Sequence, residues 1–144
     1  MLLVCSCTVN GQVAVKSRQL IGTVWKIVEP YDEDVESRWT FSSKEITTTL
    51  HSPRFKGNVP SVRCTFYLSP KYQLQFNHSK SGTVTSGCYL MTYNQRNNGF
   101  DSWYIRSFDK NKGLMTLTTR RKVPKGAIGG NGEAVLILQR ISPR

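Results

Sequence analysis

Between Thr23 and Ile141 the chain alternates apolar and polar residues in short runs. A period of two sends one side chain into a core and the next into solvent, which is the mark of a half-buried β-strand. The clearest run is SVRCTFYLS at 61–69, where Val62, Cys64, Phe66 and Leu68 fall on one face and Arg63, Thr65 and Tyr67 on the other. TVWKIVEPY at 23–31, ESRWTFS at 36–42 and EITTTLH at 45–51 precede it. Trp39 and Phe41 share a face of the second of these, and Ile46, Thr48 and Leu50 a face of the third. After it come YQLQFN at 72–77, in which Tyr72, Leu74 and Phe76 alternate with glutamines, then 86–94, DSWYIRSF at 101–108, LMTLTTR at 114–120 and AVLILQRI at 134–141. Val, Ile, Thr and aromatic residues dominate these runs, as they do in strands, and no stretch carries a helical period.

About nine strands are therefore predicted, joined mostly by short connections with no helical crossovers. DKNKG at 109–113 reads as a tight hairpin, because Gly113 adopts a positive φ at no steric cost. Consecutive strands then pair antiparallel as a meander, and a sheet of that length closes on itself because closure removes two unpaired edges. The expected fold class is all-β: a single antiparallel up-and-down β-barrel of about eight to nine strands. A length of 144 residues fits one domain with a core of its own.

Charge changes the picture only in part. The chain carries 20 Lys and Arg against 9 Asp and Glu, a net charge of +11 that favours acidic partners. The bases are scattered, however, with one real cluster at Arg120, Arg121, Lys122 and Lys125, while acids gather at Asp32, Glu33, Asp34 and Glu36. That scatter argues against a nucleic-acid footprint, so no nucleic acid is expected as partner. No apolar run after the opening approaches the roughly 20 residues a membrane-spanning helix needs.

Catalytic and metal chemistry find little support. There is no Gly-x-Ser-x-Gly and no cysteine signature of a nucleophile. The acids at 32–36 lack the ligand alternation and central glycine of a calcium loop and read as a solvated turn. GAIGGNGE at 126–133 is followed by neither the Lys-Ser/Thr nor the helix of a phosphate cradle. His51 and His78 have no ligand spacing, so neither a metal nor a cofactor is expected. Cys64 and Cys88 alternate with apolar neighbours and are expected as buried free thiols.

LIGTVWKIVEP at 20–30 resembles the first-strand Gly-x-Trp motif of the lipocalins and wider calycin group, with two residues rather than one between Gly22 and Trp25. In AVLILQRI, Arg140 stands where that family carries a final-strand arginine over the tryptophan. The layout is similar to the lipocalin-like domains of bacterial lipoproteins, through Leu20 to Trp25, Trp39-Thr40-Phe41, and Leu136 to Arg140. The resemblance covers 18–142. It implies a barrel closed by Trp25 and Arg140, and a non-enzymatic protein that is a monomer and binds a small hydrophobic or amphipathic ligand. The interior candidates are Trp39, Phe41, Phe66, Tyr72, Phe76 and Trp103. An eight-stranded barrel is just wide enough either to hold such a ligand or to fill with its own side chains. The alternative is thus an accessory module with a filled barrel, docking an acidic partner, lipid headgroup or glycan through Arg120, Arg121, Lys122 and Lys125.

The opening MLLVCSC resembles the end of a lipoprotein signal peptide, with Val4 and Ser6 placed around Cys7 as the lipidated residue. It lacks the basic leader and full apolar core of such a signal. Residues 1–7 are accordingly expected as a signal remnant, 8–17 as a tether and 18–144 as the barrel domain. Acyl chains on Cys7 would then anchor the domain to a membrane of the bacterial cell envelope, on its periplasmic or outward-facing side.

Overall fold

The computed structural model describes residues 8–9, 12–54, 61–120 and 133–142. Its strands are β1 (Thr8–Val9), β2 (Gln12–Val13), β3 (Val15–Lys16), β4 (Val24–Glu29), β5 (Glu36–Phe41) and β6 (Glu45–His51). They continue with β7 (Val62–Ser69), β8 (Ser86–Gly87), β9 (Tyr89–Asn94), β10 (Gly99–Asp109), β11 (Leu114–Arg120) and β12 (Glu133–Ser142). One turn of helix, α1 (Ser17–Leu20), and a 3₁₀ turn at His78–Lys80 complete the inventory of described elements.

Eight strands form a closed ring in the order β10-β11-β12-β4-β5-β6-β7-β9, every neighbouring pair antiparallel. The protein is an all-β, up-and-down barrel. Closure is made by β12 against β4, with Arg140 opposite Trp25. The hairpin at 109–113 forms with Gly113 at φ 67°. Asp109 Oδ1 accepts the N–H groups of Asn111 and Lys112, which fixes the turn.

Two expectations are corrected. The segment 72–77 is not a strand: β7 pairs directly with β9, Ser69 opposite Tyr89 and Thr65 opposite Tyr93, so no ladder is left for a strand between them. Its alternation serves a different purpose. The Tyr67 hydroxyl donates to Gln73 Oε1 at 2.6 Å, and its oxygen accepts the Asn77 N–H at 3.1 Å. The Phe76 ring covers Tyr67 at 4.9 Å, so the 70–85 excursion is laid over the outer face of the barrel.

Within 8–17, expected as a tether, residues 15–17 are bound to the barrel. β3 pairs with β8, the Ser17 N–H reaches the Thr85 carbonyl at 2.9 Å, and Val15 lies in the main core. Gly87 makes this crossing possible, because a Cβ there would stand 2.1 Å from the Ser69 carbonyl carbon.

The ladders define two ends. The connections 17–23, 42–44, 70–88 and 110–113 lie at one, called here the base; 30–35, 52–61, 95–98 and 121–132 join strands at the other, the mouth. α1 crosses the base and buries Leu20, and the Gly22 N–H donates to the Phe41 carbonyl at 2.8 Å.

Candidate functional site

Alternation and register together decide which side chains enter the lumen. Toward the base these are Trp25, Phe41, Ile46, Phe66, Leu68, Leu90, Ile105, Met115, Leu117 and Leu138, all buried in one cluster with Val15 and Leu20. At the closing seam the Arg140 guanidinium sits 5.8 Å from the Trp25 ring centroid, and Arg140 Nη2 donates to the Lys110 carbonyl at 2.9 Å. The Trp25 indole N–H donates to Thr23 Oγ1 at 2.7 Å, and the Thr23 hydroxyl passes a hydrogen bond on to the Leu20 carbonyl. Phe108 packs on the same indole at 6.0 Å. The buried polar tip of Trp25 is thereby satisfied while its rings plug the base.

Halfway up, Trp39 of β5 meets Trp103 of β10 edge-to-face, with centroids 6.2 Å apart. These two strands are four apart whichever way round the ring is counted, so the contact spans the full width of the lumen. Phe41 lies under Trp39 at 6.4 Å and meets Phe66 edge-to-face at 5.4 Å. Of the six interior candidates, Trp39, Phe41, Phe66 and Trp103 are therefore brought together in the lumen. Phe41 and Phe66 belong to the closed core beneath, which leaves the two tryptophans as the floor of the mouth half.

Tyr72 and Phe76 are not lumenal, a correction that follows from the missing strand. Tyr72 is exposed and sits edge-on to Tyr89 at 6.0 Å. Phe76 stacks on Tyr93 at 5.4 Å and meets Phe100 at 6.0 Å, on the outer face.

Above the tryptophans the inward positions change character. Thr48 follows Trp39 across the ladder, Thr92 faces Phe66 and Asp101, and Thr119 is paired with Ala134. Cys64 comes one inward step before Phe66, with Ile27 and Leu136 supplying apolar wall. Burial raises the Cys64 thiol pKa, and the Asp101 carboxylate raises it further, so at neutral pH the thiol is a neutral donor. Thr119 Oγ1 donates to the Ser102 carbonyl at 2.9 Å. Sequence reading named the aromatics but passed over this polar ring, because single Thr, Cys and Asp residues in an alternating run carry no signature of their own.

Cys64 and Cys88 are both free, Cys88 buried and Cys64 only half-buried. They stand at opposite ends of the directly paired β7 and β9. Burial also raises the Cys88 thiol pKa.

At the mouth's outer edge a cleft of about 220 Å³ is lined by Lys26, Tyr31, Asp32, Asp34, Glu36 and His51, among others. Asp32 Oδ1 accepts the Asp34 N–H, Arg38 pairs with Glu36, and Arg54 reaches Asp34 at 3.6 Å, so these acids form a solvated, self-satisfied turn. Among the described residues no group of three or more His, Cys, Asp and Glu side chains is placed to hold a metal. No helix among them is long and apolar enough to cross a membrane. Cys7, Arg121, Lys122 and Lys125 lie outside the described residues, and of Arg120 only the backbone in β11 is described.

Fold and lumen together define the class: a small up-and-down barrel, closed at its base and changing to polar lining above an aromatic floor. No protein-family model matches the chain, no curated protein matches it, and no solved structure does so.

Proposed function

We propose that this chain is a non-enzymatic, lipocalin-like binding protein that holds one small amphipathic molecule in the mouth half of the barrel. The apolar part of the ligand rests on Trp39 and Trp103, and its polar part meets Thr92, Thr119, Cys64 and Asp101. The observation that carries this reading is the change of inward residues from wholly aliphatic and aromatic below the tryptophans to a mixed wall above them, in which Thr92, Thr119, Cys64 and Asp101 stand among Ile27, Ala134 and Leu136. Pockets of this kind are mostly apolar, with a few placed polar groups that orient the ligand. In the same reading Cys7 carries acyl chains that hold the domain at a membrane of the cell envelope.

A second reading, an accessory module whose filled barrel docks through the basic segment at 120–125, draws support from the Trp39–Trp103 contact across the whole lumen. Native mass spectrometry of the protein purified from its own host separates the two. A non-covalent mass equal to one small molecule, lost on Trp103→Ala, supports the first. A bare polypeptide mass that never takes up a naphthylamine-type apolar probe supports the second. Acyl mass on a peptide beginning at Cys7 tests the anchor separately.

A further inference from the structure

We propose that the base of the barrel, with the 70–85 excursion that leaves it and returns to it over the outer face, is a docking surface for anionic lipid bilayers. The charge distribution comes first. The base connections at 17–23, 42–44, 70–88 and 110–113 carry Arg18, Lys44, Lys71, Lys80, Lys110 and Lys112, against Glu45 and Asp109 at the strand ends beside them. Of the mouth connections only 30–35 has the opposite sign, with Asp32, Glu33 and Asp34, while 95–98 carries Arg96 and the sequence of 52–61 and 121–132 adds Arg54, Lys56, Arg121, Lys122 and Lys125. Charge alone therefore permits the base to approach an anionic surface without choosing it over the mouth.

The second observation is independent of charge. Large apolar side chains that a globular fold ordinarily hides are held out by the same excursion: Tyr72 is 61% exposed, Leu74 83% and Val84 93%. Ile21, in the turn after α1 at the base, adds a fourth exposed apolar group. They are not there for want of anchoring. The excursion is fixed by Gln73, Phe76 and Asn77 on Tyr67, and by Thr85, whose Oγ1 accepts the Leu68 N–H at 3.0 Å. The backbone thus holds Tyr72, Leu74 and Val84 outward while inward neighbours bind the barrel.

Exposed aliphatics and a tyrosine interleaved with lysines match the bilayer interface. Apolar groups enter the acyl boundary there, tyrosine sits at headgroup level, and lysine stems keep their charge at the phosphates. A soluble polyanion such as a glycan uses the lysines alone. The apolar trio is what commits the surface to lipid.

The chain without any acyl modification is the test material, so the outcome does not depend on Cys7 or on a lumenal ligand. Co-sedimentation with phosphatidylcholine vesicles containing about one-third phosphatidylserine should show binding that weakens in high salt and vanishes on pure phosphatidylcholine. Tyr72→Ser with Leu74→Ser, and separately Lys71→Glu with Lys80→Glu, should each weaken binding at least tenfold. Asp32→Asn with Glu33→Gln, at the mouth, should leave it within about twofold. All these side chains lie at the surface, so circular dichroism melts should stay close to the parent. No sedimentation on anionic vesicles overturns the proposal. So does binding lost with the lysines but untouched by Tyr72→Ser with Leu74→Ser, which would assign the face to a soluble polyanion.

Discussion

The two halves of the lumen are walled by the same eight strands, yet they are finished in different ways. In the base half the inward residues are large and apolar except for Arg140 at the seam, and the polar tips of Trp25 and Arg140 are each given a named acceptor. In the mouth half the inward residues are mixed, Thr, Cys and Asp among Ile27 and Leu136, and Trp39 is only half-buried. The strands do not by themselves decide which half is core. What decides it is where the chain returns across an end: α1 and the strap of β3 on β8 cover the base.

The comparison breaks first at that strap. Gly87→Val should be the most damaging single change, since any Cβ there overlaps the Ser69 backbone and either the strap or the start of β9 must give way. The expected result is loss of the cooperative melting transition or a large fall in Tm by circular dichroism. Next in size is Trp25→Ala, at about 3–5 kcal/mol, the cost of emptying a fully buried large aromatic site. Trp39→Ala, of the same chemistry but half-buried in the mouth half, should cost no more than about half as much. Equal losses in urea titrations of the two variants would show that the mouth half is core as well. Smaller again is Arg140→Ala, at about 0.5–2 kcal/mol for the guanidinium over the indole. Arg140→Lys should recover only part of it, because an ammonium does not reproduce the planar fork that covers the ring and reaches the Lys110 carbonyl.

The sequence made the barrel legible because its strands are half-buried and keep their period. β5, β6, β7, β11 and β12 fall within a residue or so of the alternating runs, and the turn at Gly113 announces itself. The seam was legible too, since Trp25 and Arg140 stand at the first and last strands of a ring. The reading failed where alternation served something other than a ladder. Tyr72, Leu74 and Phe76 alternate because Phe76 and Gln73 face Tyr67 while Tyr72 and Leu74 face water, and a local pattern does not distinguish a second strand from a cover laid on a first. The same limit hid the polar ring. Whether Thr92 or Asp101 lies in the lumen depends on their register against Phe66 and Trp103, a non-local fact.

The finest probe of the two halves is alkaline titration, because each holds an acidic hydrogen donor pushed upward by burial. In the mouth half this is Cys64, raised from an ordinary 9.0 by desolvation first and by the Asp101 carboxylate second. At the base end it is Cys88, raised from 9.0 mainly by desolvation, while Tyr89 beside it, on the outer face against Tyr72, is raised from 10.0 mainly by desolvation. A group whose folded pKa lies above its unfolded one holds its proton longer in the folded chain. Its stabilising contribution is therefore complete below the unfolded pKa and is lost as pH rises through the folded value. Tm should thus stay level to about pH 8 and decline above pH 9. Cys64→Ala should flatten the earlier part of that decline and Tyr89→Phe the later part. If Cys64→Ala leaves the curve unchanged while Cys88→Ala flattens it, the mouth half is wet enough to solvate the Cys64 thiolate. The contrast between a dry base and a watered mouth would then be sharper than the burial of Cys64 alone suggests.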